Sequence, residues 1–356
     1  MQLSLFDESD RLQELSQLGD PLEKLNRVID WGIFLPTLNK VFKKERKGVQ
    51  GRPPYPYLMM FKILVLQRLY NISDDQAEYQ IKDRITFMRF LGLSINDRVP
   101  DAKTIWLFRE NLVKADVHKK LFESFEKHLE SQRLITRKGS IIDASFVEAP
   151  RQHNTPGENE QIKNGVIPEE WQPNKLRQKD VDAQWSQKNG VRHYGYKNEP
   201  KVDADSKLIT DYAVVPANVH DITEFENLID PSKDNIVFGD SAFVSAEIAA
   251  NIKAKAKKKN RNIVLKITEK GFRYTPLTDE QKISNRKKSA IRSRVEHVFG
   301  FIVNSINGMN LRSKGIWRAR FNIALTNIIY NMCRYEFLIR PAGGRMSLSP
   351  IRAYHL

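Results

Sequence analysis

The order of apolar and polar positions divides the chain into a helical first part and a mixed second part. In the first part, apolar residues recur every three or four positions after helix-start signals at Asp20 and Ser73. The segment from Tyr57 to Tyr70 is apolar over most of its length and predicts a buried helix. Residues 1–135 are therefore predicted to form an all-helical N-terminal domain.

This helical domain has two interpretations. Short helices joined by tight turns suit a helix-turn-helix-like domain that binds DNA or supports dimerisation. A plain helical bundle with no role in nucleic-acid binding would give the same pattern.

The second part begins after Gly139 and shows strand patterns. A strand is predicted over Ile141–Val147, followed by a hairpin of strands and then by helices that alternate with strands. One long helix is predicted from Ile283 to about Ile306. Three antiparallel strands followed by alternating helices and strands predict an α/β (α+β) fold, a ribonuclease H-like domain with a five-stranded mixed sheet over residues 136–340.

Two segments do not show these patterns. Residues 150–190 are polar and contain several prolines, so they are predicted to be a loop or an insertion within the second domain. Residues 341–356 follow a Pro-Ala-Gly-Gly run and are predicted to be a flexible tail.

Composition restricts the class of protein. The net charge of +15 favours a polyanionic partner, and nucleic acid is the leading candidate. A single cysteine, Cys333, excludes an internal disulfide and a cysteine-rich zinc site. No apolar run approaches the ~20 residues that span a bilayer, and the N-terminus lacks the order of a signal peptide. A cytoplasmic protein with no membrane segment is predicted.

Two aspartates stand out by their position. Asp143 and Asp240 each follow an apolar strand, where burial of a charge is costly without a cation or another partner. Each is followed by small residues, which leave room for a metal ion and a DNA backbone. Either aspartate alone would also fit a residue that ends its strand and caps a turn.

A third acid, Glu296, lies at the edge of the apolar stripe of the long helix, with Arg292 one turn earlier. An ordinary surface pair of glutamate and arginine is the alternative. Cleavage of a phosphodiester by two Mg²⁺ ions needs a few carboxylates that converge from distant parts of the chain. Asp143, Asp240 and Glu296 fall on the elements where a ribonuclease H-like fold brings acids together, so they are predicted to be the catalytic and metal-binding residues.

The chain resembles DDE-type bacterial insertion-sequence transposases, specifically the insertion-sequence-five family. The resemblance covers nearly the whole chain and depends on these stretches: Gly51–Tyr55, Asp143–Gln152, Lys175–Ala183, His193–Lys197, Gly239–Phe243, Arg292–Gly300 and Asn331–Tyr335. Related elements often carry the pattern Tyr-x2-Arg-x3-Glu-x6-Lys around the glutamate. Arg292 and Glu296 match it, whereas Ser289 and Val303 stand at the tyrosine and lysine positions.

The resemblance implies a function. A DNA transposase of this type binds the terminal inverted repeats of its element, hydrolyses DNA at the ends and joins the freed 3′-OH to target DNA. It uses Mg²⁺, for which Mn²⁺ substitutes, and works as a homodimer or higher multimer on DNA. A bacterial, cytoplasmic and nucleoid-associated location follows from the same resemblance.

The residues predicted to contact DNA are basic or aromatic: Arg292, Arg294, Lys287, Lys288, Tyr196, Lys197 and Arg52. Tyr196 also fits the alternation of an ordinary strand. Trp171, Trp185 and Trp317 could stack on bases, although core packing explains such residues as well. Two rival functions stay open: a non-catalytic DNA-binding protein derived from a transposase, and a ribonuclease H-like nuclease without strand transfer.

Overall fold

The structure is a computed structural model that describes residues 7–43, 53–242, 245–271, 274 and 276–340. The chain divides into two compact units: residues up to 128 together with those from 325 onward, and residues 129–324. Among the described helices, none combines the length and apolar character needed to span a bilayer. The predicted tail, residues 341–356, lies outside the described residues.

The first unit is helical, as predicted. Its helices are α1 (Asp7–Gln17), α2 (Pro21–Val28), a short 3-10 helix (Trp31–Phe34), α3 (Leu35–Phe42), α4 (Tyr57–Tyr70), α5 (Asp74–Asp83), α6 (Ile85–Leu91), α7 (Ala102–Lys114) and α8 (His118–Ser131). The side chain of Asp20 accepts a hydrogen bond from Leu22 N at 2.8 Å, and Ser73 forms a capping box with Gln76. The helix-start signals in the sequence therefore mark the beginnings of α2 and α5.

The core of the first unit is built around α4. Most of this helix is buried, and its Phe61 packs against Phe34 with 4.8 Å between ring centroids. Arg68, also on α4, donates a hydrogen bond from Nε to the hydroxyl of Thr326 at 2.7 Å. Apolar residues occur on all sides of α4, and such a helix is stable only when other parts of the protein surround it.

The second unit contains the sheet. Its elements are β1 (Ser140–Ile142), β2 (Ser145–Glu148), α9 (Pro156–Lys163), α10 (Pro173–Leu176), β3 (Gln184–Lys188), β4 (Val191–Asp203), β5 (Ile209–Pro216), α11 (Ile222–Leu228), β6 (Ile236–Gly239), α12 (Ala246–Lys257), β7 (Val264–Ile267), α13 (Asp279–Arg292) and α14 (Arg294–Ile306). The last helix, α15 (Ile316–Leu338), begins in this unit.

The long strand β4 organises the sheet. Lys201 of β4 pairs with Ile142 of β1 on one edge and with Asp211 of β5 on the other, and both pairings are antiparallel. On the other side of β1, β6 pairs with β1 in parallel, and β7 pairs with β6 in parallel. The order β5–β4–β1–β6–β7 gives three antiparallel strands followed by two parallel ones, the ribonuclease H-like arrangement predicted from the sequence.

The described residues form a sheet of seven strands instead of the predicted five. The strand predicted over Ile141–Val147 is interrupted at Asp143 and Ala144, which leaves β1 and β2 on the same edge of β4. The seventh strand, β3, pairs with the beginning of β4. On one face of the sheet, α11 and α12 cover an apolar cluster that includes Ile142 and Val237.

The segment 150–190, predicted to be a loop or an insertion, contains α9, α10 and β3. One other prediction needs correction. The helix predicted from Ile283 to Ile306 is two helices, α13 and α14, separated at Ser293. The Ser293 hydroxyl donates a hydrogen bond to the carbonyl of Ala290 at 3.1 Å, and such bonding by serine competes with regular helix geometry.

Candidate active site

Asp143 and Asp240 lie side by side at the carboxyl ends of neighbouring parallel strands. Asp143 directly follows β1, and Asp240 directly follows β6. The register pairs Ile141 with Phe238, so two further residues along each strand bring the aspartates to the same level. We refer to Asp143 and Asp240 as the aspartate pair.

Hydrogen bonds hold one oxygen of each carboxylate. The Oδ1 atom of Asp143 accepts the N–H of Ala144 at 2.9 Å. The Oδ1 atom of Asp240 accepts the N–H of Ser241 at 2.7 Å and the hydroxyl of Thr268 at 3.1 Å. Among the described residues, neither Oδ2 atom accepts a hydrogen bond, so both can take a further ligand.

Arg292, the last residue of α13, bridges the aspartate pair. Its Nε lies 3.6 Å from Oδ2 of Asp143, and its Nη1 lies 3.4 Å from Oδ1 of Asp240. These are ion contacts longer than a charge-assisted hydrogen bond of about 2.7–2.9 Å. The guanidinium therefore supplies one positive charge to two carboxylates without fully satisfying either.

The position of Arg292 depends on how α13 is attached to the sheet. Asn285 and Glu269 exchange two hydrogen bonds of 2.9 Å, from Glu269 N to Asn285 Oδ1 and from Asn285 Nδ2 to Glu269 O. One turn later, Lys288 donates to the carbonyl of Ile267 at 2.9 Å. Asn285, Lys288 and Arg292 are spaced for one helix face, so the contacts with the end of β7 direct Arg292 to the ends of β1 and β6.

The two aspartates differ in how the surroundings affect their charge. Burial raises the pKa of Asp143 above its ordinary value, although Arg292 and the N–H of Ala144 oppose this effect. Burial acts in the same direction on Asp240, but Arg292 with the donors Ser241 and Thr268 outweighs it, and the pKa of Asp240 lies below its ordinary value. Asp143 is therefore the carboxylate whose ionised form depends more on an added cation.

The structure does not bring the third predicted acid into the same group. Glu296 is exposed in the first turn of α14, on the other side of the helix break from Arg292. Within the described residues, no cluster of three or more histidine, cysteine, aspartate or glutamate side chains could hold a metal ion. The aspartate pair is thus assembled, whereas the full triad stays a prediction.

The basic residues predicted to contact DNA have different surroundings. Arg294 donates to the carbonyl of Ala204 at 2.6 Å and lies 3.3 Å from Asp205, so the turn between β4 and β5 holds it. Lys287 is exposed, while Lys288 is tied to the end of β7. Arg52 lies outside the described residues.

The placement of Tyr196 and Lys197 contradicts the prediction that they line a DNA groove. Tyr196 is fully buried, and its hydroxyl donates to both oxygens of Asp180 at 2.8 and 3.0 Å. Lys197 is buried as well, and its ammonium group contacts Asp221 and donates to the carbonyl of Val219 at 2.7 Å. Both side chains point into the protein because alternate residues of β4 pack against its two faces.

Sequence reasoning missed two residues that matter here. Thr268 follows β7 in the same way that Asp240 follows β6, so a polar residue at the end of a strand was the available signal. Asp180 lies in the polar segment that was predicted to be a loop, and nothing in its sequence context indicates its burial.

Two family models match parts of this chain. Residues 135–332 match the family model described as "Transposase DDE domain", and residues 10–111 match the one described as "Transposase domain (DUF772)". Among solved structures, the chain is similar to the piggyBac transposase in a cryo-EM structure of its synaptic complex with hairpin DNA. The two are 14% identical, with 87% of this chain and 73% of that chain covered and a TM-score of 0.42.

Proposed function

The chain belongs to the transposase DDE domain family, and we propose that it cleaves the ends of its own DNA element and joins the 3′-OH to target DNA. Recognition of the ends would depend on their terminal inverted repeats. The aspartate pair is the observation that carries this proposal, because two carboxylates at adjacent strand ends share one positively charged partner.

We propose that Asp143, Asp240 and Glu296 hold divalent cations, Mg²⁺ with Mn²⁺ as a substitute. The donor set fits, because the aspartate pair offers hard carboxylate oxygens, and its Oδ2 atoms accept no hydrogen bond from the described residues. Bound in pairs, such ions activate the attacking oxygen and stabilise the leaving oxygen in phosphodiester chemistry.

The other side chains position these groups. Thr268 and the N–H of Ser241 orient Asp240, and the N–H of Ala144 orients Asp143. Arg292 is proposed to exchange its carboxylate partners for a DNA phosphate when cations occupy the pair. Glu296 completes the set from the start of α14, next to the helix break at Ser293.

Basic residues near the pair are proposed to bind the DNA backbone. Lys287 is exposed on α13 between Arg286 and Lys288, and the whole chain carries a net charge of +15. Cutting two ends in a coordinated way requires assembly, so a homodimer or higher multimer on DNA is part of the proposal.

The test is a strand-transfer assay with labelled end DNA, Mg²⁺ and the full chain. Asp240→Asn should lower cleavage by about 1000-fold or more, because an amide is a poor ligand for a divalent cation. DNA affinity and the thermal midpoint should stay close to those of the unsubstituted protein. Asp279→Asn is the matched control, since this side chain is 90% exposed, and it should cleave normally. Normal cleavage by Asp240→Asn would disprove the site assignment.

One observation favours a second candidate. Because the described residues assemble only two of the three acids, a non-catalytic DNA-binding derivative of a transposase is the rival. That protein would bind end DNA with Mg²⁺ present and cleave none of it. A nuclease without strand transfer would cleave the same DNA and leave no joined product, so one assay separates the three functions.

A further inference from the structure

A groove lies on the surface of the second unit, next to the hairpin of β3 and β4. The residues that line it are Arg151, Asn159, Trp185, Ser186, Gln187 and Arg192. None of them is acidic, and two are arginines. An aromatic ring next to cationic side chains in an open groove is an arrangement by which proteins hold unpaired nucleotides.

Trp185 provides an open aromatic surface. The residue is 44% exposed although it belongs to a strand. Across the strand pair, Tyr194 is buried and supports the indole, with 5.0 Å between the two ring centroids. The tyrosine holds the tryptophan in one place, so stacking a base on the outer face costs little side-chain entropy.

The arginines provide the charge. The guanidinium of Arg151 lies 5.8 Å from the centroid of the Trp185 ring, and Arg192 is exposed on β4. Within the described residues, neither arginine forms an ion pair or donates a hydrogen bond. Guanidinium groups that line the same groove as an aromatic ring are complementary to the phosphates that flank a nucleotide base.

Two other tryptophans, Trp171 and Trp317, differ from Trp185 in their surroundings. Trp171 is buried, and its indole N–H donates to Glu158 at 2.6 Å. Trp317 is 54% exposed with Arg320 5.3 Å from its ring centroid, but it is a helix residue outside the groove. Trp317 therefore serves as a control of the same residue type.

We propose that the groove around Trp185 binds an unpaired nucleotide of the DNA, with its base stacked on the indole and its phosphates on Arg151 and Arg192. The proposal rests on the proposed function, because DNA at the aspartate pair supplies the strand. It adds a separate binding site for a single-stranded segment, such as an opened base at the cleaved end.

The test measures binding without chemistry. Full-length protein is titrated in EDTA with a labelled oligothymidine of about eight nucleotides, within the span of known single-strand sites, and separately with duplex DNA. Trp185→Ala should weaken oligothymidine binding about tenfold, as loss of one stacked base does. Trp185→Phe should restore most of the affinity, and Trp317→Ala should leave it unchanged. Duplex affinity should change by less than about twofold in each variant.

Several results would overturn the proposal. Unchanged oligothymidine binding by Trp185→Ala would show that no base stacks there. An equal loss with Trp317→Ala, or an equal loss of duplex binding, would show a general charge or folding effect. Thermal midpoints identify variants that fail to fold, in which case Arg151→Gln with Arg192→Gln replaces them and must weaken oligothymidine binding. Because EDTA prevents cleavage, these outcomes are independent of the strand-transfer assay.

Discussion

Two aspartate sites in the second unit are built in opposite ways. Asp180 is only 1% exposed, yet its carboxylate accepts hydrogen bonds from the hydroxyl of Tyr196 and from the N–H groups of Asp182, Ala183 and Gly315. These donors come from three separate segments, so Asp180 connects the segment after β2 to β4 and to the start of α15.

The aspartate pair, in contrast, keeps one oxygen of each carboxylate without a hydrogen bond among the described residues. Its charge is balanced by Arg292 at 3.4 and 3.6 Å. This difference distinguishes acids that stabilise the fold from acids that are available to bind a ligand. A buried carboxylate with a full set of donors stabilises the fold, whereas one with open oxygens beside a cation is available for a ligand.

The largest expected effect on stability concerns Asp180. Asp180→Asn should destabilise the protein by about 3 kcal/mol, because the amide nitrogen then faces either the N–H of Gly315 or the N–H groups of Asp182 and Ala183. The free energy of unfolding from urea titration measures this loss. At the aspartate pair, the same change in Asp240 should cost activity instead of stability.

An exposed aspartate provides the control for the Asp180 prediction. Asp279→Asn, on an exposed side chain, should change the free energy of unfolding by less than about 0.5 kcal/mol. If Asp180→Asn kept full stability but lost cleavage, Asp180 would take part in the reaction, and the distinction by hydrogen-bond donors would be wrong.

Sequence reasoning could predict the aspartate pair because both residues follow short apolar strands. Neighbouring parallel strands end at the same edge of a sheet, so two acids at such ends come together. The order of strands and helices likewise predicts the mixed sheet, and helix caps such as Ser73 predict helix beginnings. These are local signals with direct geometric consequences.

The remaining features depend on contacts between distant residues. The burial of Tyr196 results from Asp180, which lies in a segment with a polar, loop-like composition. The break at Ser293 lies between Ile291 and the buried positions of α14, whose spacing alone would allow one continuous helix. The burial of Tyr196 cannot be derived from a window of a few residues, because Asp180 lies elsewhere in the chain.

A third acid differs from both sites, because it is buried and its carboxylate accepts no hydrogen bond from the described residues. Glu199 on β4 is fully buried, and within the described residues neither carboxylate oxygen has a hydrogen-bond partner. Burial, with Asp221 and Glu224 nearby and Lys197 in opposition, raises the pKa of Glu199 to about 8. The folded protein therefore holds a proton that the unfolded chain releases above its own pKa of about 4.3.

The sign of the pH effect follows from this raised pKa. The contribution of Glu199 to stability is full below the unfolded pKa and is lost as the pH rises through about 8. Glu199→Gln carries no such proton, so at pH 9 it should be more stable than the unsubstituted protein by roughly 2 kcal/mol. Thermal midpoints from pH 5 to 9 should diverge with rising pH. Glu280→Gln, an exposed control, should follow the unsubstituted protein, and a Glu199→Gln curve parallel to both would refute the prediction.

The smallest expected effect tests the electrostatic balance of the aspartate pair itself. Arg292 and a divalent cation compete for the same carboxylates, so Arg292→Gln should increase the affinity for Mn²⁺ in the absence of DNA. A Coulomb interaction at this distance is reduced by partial solvent exposure, and about a tenfold tighter Kd is expected. Titration followed by the electron paramagnetic resonance of free Mn²⁺ measures it.

The control for this change must remove the same charge from the same helix. Arg286 is exposed on α13, and Arg286→Gln should change the Mn²⁺ affinity less than about twofold. If both variants bound Mn²⁺ equally well, net charge alone would explain the gain. If Arg292→Gln bound Mn²⁺ more weakly, the guanidinium would support the cation site instead of competing for it. A gain confined to Arg292→Gln would mean that the open oxygens of the aspartate pair are a cation site that arginine partly neutralises in the free protein.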